Sequence, residues 1–247
     1  MSIELIPAID LREGKVVRLL RGDYARQTSY AVDPVDTAKG FQDAGCRWLH
    51  VVDLDGARDG HPVNLPIIEK IVRATYLRVE VGGGIRTKET MEHLLACGVH
   101  RLVLGTRAIA DFDWFAMMVH DPQFRQRLIL GLDARDGRVA THGWTQQQDQ
   151  TPDALNIARA VRNWPLAAII YTDIARDGAL VGPNIAATGQ LLEAAADIPI
   201  IHSGGITTLE DIAALKALPL AGIIVGRALY EGRLQARQAV DLLAATS

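Results

Sequence analysis

Short, almost wholly apolar runs rich in β-branched residues alternate along the chain with longer stretches in which apolar residues recur at helical period. The short runs predict strands over residues 3–9, 48–54, 78–81, 101–104, 128–132, 167–172, 199–202 and 221–225. The longer ones predict helices over 36–44, 65–74, 87–96, 113–119, 152–161, 185–195, 208–217 and 235–244. Strands that are apolar throughout, rather than at every second position, are buried on both faces, as in a parallel sheet covered by helices. Helix start signals agree with these bounds, notably Thr87 with Thr90 on one turn and Thr207-Thr208 leading to Glu210-Asp211. Eight strands, each followed by a helix, predict the α/β class and a closed (β/α)8 TIM barrel. A doubly wound sheet fits less well, because no GxGxxG motif opens the first helix.

No Ser/Gly linker or charge run divides the chain, so residues 1–247 are expected to form one domain. An internal repeat does run through it. Val81-Gly82-Gly83-Gly84-Ile85-Arg86 aligns with His202-Ser203-Gly204-Gly205-Ile206-Thr207, and Val103-Leu104-Gly105-Thr106 with Ile224-Val225-Gly226-Arg227, both at an offset of 121 residues. Asp10 and Asp133 each end an apolar run at nearly the same offset, 123 residues. Two similar half-barrels of four βα units account for all three coincidences.

Active sites of such barrels lie at the carboxyl ends of the strands. Asp10 and Asp133 stand there, at the ends of strands one and five, which face each other across an eight-stranded ring. Opposed carboxyl groups suit a general acid and a general base acting on two sides of one substrate. The plainer alternative is that each aspartate caps a loop or pairs with a nearby arginine such as Arg12 or Arg135. The two glycine-rich turns, Gly82-Gly83-Gly84 with Gly105-Thr106 and Gly204-Gly205 with Gly226-Arg227, are candidate phosphate cradles, since glycine admits an anion close to backbone amides. Glycine also serves turns that only need positive φ. Further polar residues fall at predicted strand ends: His50, Asp53, Arg86, Thr172, Asp173, Arg176, Asp177 and His202. His50 with Asp53 reads as a hydrogen-bonded rim pair, and no set has convincing zinc spacing, so no metal is expected. Cys97 has no evident base and Ser203 lacks a nucleophile elbow. Trp144 is either loop packing or a stacking platform, and the loops carrying it and Gly22-Asp23-Tyr24 are candidate lids.

Composition narrows the partners. At 247 residues, 49% hydrophobic and 22% charged, the chain can build one large core. A net charge of -3 gives no electrostatic case for nucleic acid or an anionic membrane, but it leaves room for an anionic small molecule. Cys46 and Cys97 read as buried packing thiols in a reducing compartment. The first residues lack the features of a signal peptide, and no apolar run reaches about 18 residues, so a cytoplasmic location is expected.

Taken together, Pro7-Ala8-Ile9-Asp10-Leu11, Gly14-Lys15-Val16-Val17-Arg18-Leu19, Gly22-Asp23-Tyr24, Val51-Val52-Asp53-Leu54 and Val81-Gly82-Gly83-Gly84-Ile85-Arg86 resemble the phosphoribosylformimino-5-aminoimidazole carboxamide ribotide isomerases of histidine biosynthesis. Gly131-Leu132-Asp133, Gly143-Trp144, Thr172 through Gly178 and Val225-Gly226-Arg227-Ala228-Leu229 extend the likeness over essentially the whole chain. The resemblance implies a barrel of two halves, no cofactor, a small-molecule substrate with two phosphate ends, and an Amadori rearrangement of an aminoaldose to an aminoketose. It assigns the acceptor carboxylate to Asp10, the donor carboxylate to Asp133 and a neighbouring hydroxyl to Thr172. Stacking falls to Trp144, and substrate orientation to Arg86 and Asp177. His202 departs from the pattern, which has a small or amide-bearing residue there. The sister cyclase of the pathway and a non-catalytic phosphate-binding barrel are the alternatives. A monomer without nucleic-acid or membrane partners is expected.

Overall fold

The computed structural model describes residues 3–140 and 152–245. The first half of the chain runs β1 (Glu4–Arg12), β2 (Lys15–Leu20), β3 (Asp23–Ser29), α1 (Pro34–Asp43), β4 (Trp48–Asp53), α2 (Leu54–Asp59), α3 (Leu65–Ala74), β5 (Arg78–Gly82), α4 (Lys88–Ala96), β6 (Arg101–Leu104), α5 (Thr106–Ala110) and α6 (Phe112–His120). The second runs β7 (Leu128–Arg135), β8 (Arg138–Val139), α7 (Ala154–Val161), β9 (Ala168–Asp173), α8 (Ile185–Ala195), β10 (Ile200–Ser203), α9 (Leu209–Lys216), β11 (Gly222–Val225), α10 (Arg227–Tyr230) and α11 (Ala236–Ala244). The strands β1, β4, β5, β6, β7, β9, β10 and β11 pair in that order, all parallel, and β11 pairs back onto β1 to close a (β/α)8 barrel. The eight expected strands and eight expected helices are all present, with ends shifted by up to three residues.

Alternation along each strand separates two cores. Ile6, Ala8, Ile129, Ala168, Ile170, Ile201 and Ile224 form an inner cluster that fills the barrel. Their neighbours Leu5, Ile9, Leu128, Leu130, Ile169, Ile200 and Ile223 join the larger shell beneath the helices. This is why the strands read as continuous apolar runs. Helix starts follow side-chain chemistry: Asp33, Thr87, Asp111 and Asp153 each accept a backbone N–H of the first turn. Thr208 and Asp211 form a reciprocal capping box.

Short polar elements depart from the expected pattern. β1 does not stop at residue 9. It continues through Asp10 to Arg12 and turns back as the antiparallel β2. The half-barrel repeat reproduces this with β7 and β8, and Asp10-x-Arg12-x-Gly14 recurs as Asp133-x-Arg135-x-Gly137. Glu13-Gly14 and Asp136-Gly137 both hold positive φ, 50° and 75° in one and 51° and 77° in the other, the backbone of a two-residue hairpin turn. Gly22-Asp23-Tyr24 is accordingly the tip of the β2–β3 hairpin and not a free loop, because Val17 and Leu19 pack inward and pin it. Cys46 is buried as expected, whereas Cys97 is only half-buried and its thiol meets Glu69. Among the described residues, no helix is long and apolar enough to cross a membrane.

Candidate active site

Inward-facing positions at the carboxyl ends of the strands line a cavity of about 490 Å³. Asp10 follows Ile6 and Ala8 on β1, Asp133 follows Ile129 and Gly131 on β7, and Thr172 follows Ala168 and Ile170 on β9, so period-2 alternation brings all three into it. Thr172 is the direct register neighbour of Asp133. Gly82, Gly83, Gly84, Arg86, Gly105 and Thr106 line one side, and Asp177, Gly204, Gly205, Gly226 and Arg227 the other. Trp144 lies outside the described residues.

Asp10 does not pair with Arg12, which instead donates to Gln27 Oε1 at 2.6 Å and to the Tyr24 carbonyl at 3.3 Å. Its partner is Arg18, one hairpin strand away, which the sequence reading gave no role. Burial works against the Arg18 charge, but Asp10, with Tyr230 and Asp177 close by, more than offsets it and holds the guanidinium ionised beyond its usual range. Arg18 Nε has no partner among the described residues.

Asp177 closes this cluster from the loop after β9. Burial raises its carboxyl to about 6, Asp10 and Asp133 push the same way, and Arg18 opposes them. A carboxyl raised by folding favours the fold while it is protonated. Its contribution is complete below the ordinary value of 3.8 and is lost as pH rises through about 6. Melting curves of wild type and Asp177→Asn from about pH 4 to about pH 8 should therefore show the variant gaining on the wild type across this window. A constant difference would mean that Asp177 does not titrate there.

The glycine turns answer a packing demand. Gly83 and Gly204 hold φ of 99° and 95°, and each lies against the backbone of an aspartate that ends the preceding barrel strand, Asp53 and Asp173 respectively. Asp53 accepts hydrogen bonds from Gly56, Val63 and Asn64 backbone N–H groups and from Asn64 Nδ2, at 2.7–2.8 Å. Asp173 likewise accepts from Asn184 Nδ2 at 2.7 Å. Asp53 with Asn64 and Asp173 with Asn184 are repeat-related pairs, 120 residues apart, that set the loops on which the glycine turns rest. The spacing of eleven residues, seen twice, was the signal available in the sequence. Beyond the turns, Gly105 and Gly226 precede the short helices α5 and α10 in matching conformations, and neither helix start carries a side-chain cap. Their first N–H groups are left for another acceptor.

Two histidines have roles other than expected. His50 lines the cavity and pairs not with Asp53 but with Glu80 Oε1, at 2.8 Å, while Arg101 stacks on Trp48 at 4.1 Å. His202 faces outward and is fully buried, meeting the Thr188 hydroxyl at 2.9 Å and donating from Nε2 to the Gly204 carbonyl at 3.1 Å. Burial lowers its pKa to about 4, so a neutral ring braces the second glycine turn from behind.

Comparison with known proteins agrees with this geometry. A family model described as histidine biosynthesis protein matches residues 4–235. A protein of Rhodopirellula baltica is 45% identical over 97% of this chain and 94% of its own length. One from Jannaschia sp. is 47% identical over 97% and 99%, and one from Xanthobacter autotrophicus 48% identical over 98% of each. All three bear the name 1-(5-phosphoribosyl)-5-((5-phosphoribosylamino)methylideneamino)imidazole-4-carboxamide isomerase. The chain belongs to the histidine biosynthesis protein family and, within it, to these carboxamide isomerases.

Proposed function

We propose that this chain carries out the isomerisation for which its relatives are named, through acid–base catalysis by Asp133 and Asp10. The observation that carries the reading is the single cavity in which these two carboxyl groups approach from opposite strands, flanked by the uncapped starts of α5 and α10. One carboxyl group protonates the ribose ring oxygen, and the sugar opens to a Schiff base. A carboxylate then removes the C2′ proton, and the resulting enolamine tautomerises to the ketose, so no proton or electron is gained overall. Asp133, beside the Thr172 hydroxyl, is the donor. Asp10 is the acceptor, held in place by Arg18 from the neighbouring hairpin strand. Arg86 and Asp177 orient the substrate, and Trp144 stacks on its flat imidazole carboxamide.

The two phosphates rest at the starts of α5 and α10, where free N–H groups and helix dipoles favour anions. Gly82, Gly83 and Gly84 with Gly105 and Thr106 shape one cradle, and Gly204 and Gly205 with Gly226 and Arg227 the other. Gly105 gives the clean test, because a Cβ there meets only the Gly131 carbonyl at 3.5 Å, an ordinary contact. Gly105→Ala should fill anion space without disturbing the protein. We expect KM to rise by about 10-fold, the effect of losing a hydrogen bond of about 1.5 kcal/mol to a charged group. An unchanged KM would remove that cradle.

The pairing of β1 with β11 ties the first strand to the last and supports one domain over 1–247. Few large apolar side chains are exposed among the described residues, namely Val32, Val63, Tyr76, Met117 and Val181, which supports a monomer. Two unbridged cysteines and a role in biosynthesis support a cytoplasmic location. The deciding assay supplies purified protein with the aminoaldose alone, without metal, cofactor, glutaminase or ammonia. Conversion to the aminoketose is expected, and turnover that requires ammonia and yields a cyclised product would favour the sister cyclase instead.

A further inference from the structure

We propose that Glu69, His93 and Cys97 form a binding site for a divalent cation of the zinc class, between α3 and α4 on the outside of the barrel. His93 and Cys97 are four residues apart at the end of α4, which puts both on one helical face, and Glu69 meets them from α3. One ligand atom from each lies within 4.8 Å of the other two. Zinc sits about 2.0–2.3 Å from such ligands, which brings them roughly 3.5 Å apart, so rotation of the exposed His93 ring and small shifts of the others suffice.

The site is partly assembled without an ion. Cys97 Sγ donates to Glu69 Oε1 at 3.2 Å, and a cation entering here displaces the thiol proton to solvent and takes the freed thiolate and carboxylate as ligands. Arg73, 3.3 Å from Glu69 Oε2, competes for the same carboxylate. A mixed sulfur, nitrogen and oxygen set selects zinc or cobalt over magnesium or calcium. Cys97 ends the helix that leads into β6, on the face opposite the cavity, where barrel residues serve stability. A bound ion therefore ties two adjacent helices and takes no part in the isomerisation.

Titration of chelator-stripped protein with Co²⁺, followed by Zn²⁺, tests the site. One equivalent of Co²⁺ should produce a thiolate-to-cobalt charge-transfer band in the near ultraviolet, and Zn²⁺ should abolish it. Cys46 is buried away from these ligands, so the band reports Cys97. Cys97→Ser and His93→Ala should each weaken Zn²⁺ binding at least about 10-fold, and Arg73→Ala should tighten it. Zn²⁺ should raise the melting temperature of wild type and not of these two weakened variants, while turnover stays the same throughout. Absence of the band, or equal Zn²⁺ affinity in wild type and His93→Ala, overturns the proposal. His93 is exposed, so its replacement decides the matter even if Cys97→Ser folds poorly.

Discussion

Asp10→Asn and Asp133→Asn are each expected to lower turnover by at least about 100-fold, the low end of what a positioned acid or base supplies. Asparagine keeps the size and the polar contacts of the side chain but can neither donate a carboxyl proton nor accept one. The loss should fall on kcat more than on KM, because the proposed phosphate cradles lie elsewhere in the cavity. Asp10→Asn carries a stability cost as well. Asp10 and Arg18 are a largely buried pair, with side chains 10% and 13% exposed. Breaking such a pair costs about 3–5 kcal/mol when the remaining charge has no other partner. Asp177 lies close enough to Arg18 to reduce that cost for Asp10→Asn. Rates should therefore be expressed per folded molecule, with folded fractions taken from denaturation curves. Wild-type turnover in either variant would remove that residue from the mechanism.

Gly83→Ala is expected to destabilise the protein by about 2–5 kcal/mol, combining the cost of a left-handed backbone in a residue with a side chain and that of forced overpacking. A Cβ at Gly83 would overlap the Asp53 carbonyl, and backbone held by four hydrogen bonds to the Asp53 carboxylate cannot move aside cheaply. At the repeat-related Gly204 the nearest atom is the Asp173 carbonyl oxygen at 3.1 Å, tight but not overlapping. Gly204→Ala should therefore cost only about 1–2 kcal/mol. Urea denaturation of both variants reads the difference. If Gly83→Ala is as stable as wild type and only KM rises, the turn is a phosphate cradle and its packing role is wrong.

Much of the site was legible because barrel strands impose a strict period. Once the apolar runs were placed, Asp10, Asp133 and Thr172 had to share the inward face with Ile6, Ile129 and Ile170. The glycine turns were found because the chain repeats itself. The hairpins β1–β2 and β7–β8 were missed although their X-Gly turns carry the signal, because a strand read only by hydrophobicity ends where its charged residues begin.

Sequence alone determined the order of the eight barrel strands and the eight main helices, the two-fold repeat and several of the residues around the cavity. These depend on local periodicity and on comparison of the chain with itself. Only the tertiary structure decided that Arg18 and not Arg12 holds Asp10, that His50 pairs with Glu80, that Asn64 and Asn184 secure Asp53 and Asp173, and that Glu69 meets His93 and Cys97. Most of these pairings join different elements across the fold, and even the nearer ones depend on strand register and rotamer. A polar side chain chooses among several partners of similar chemistry by distance, and distance exists only once the barrel has closed.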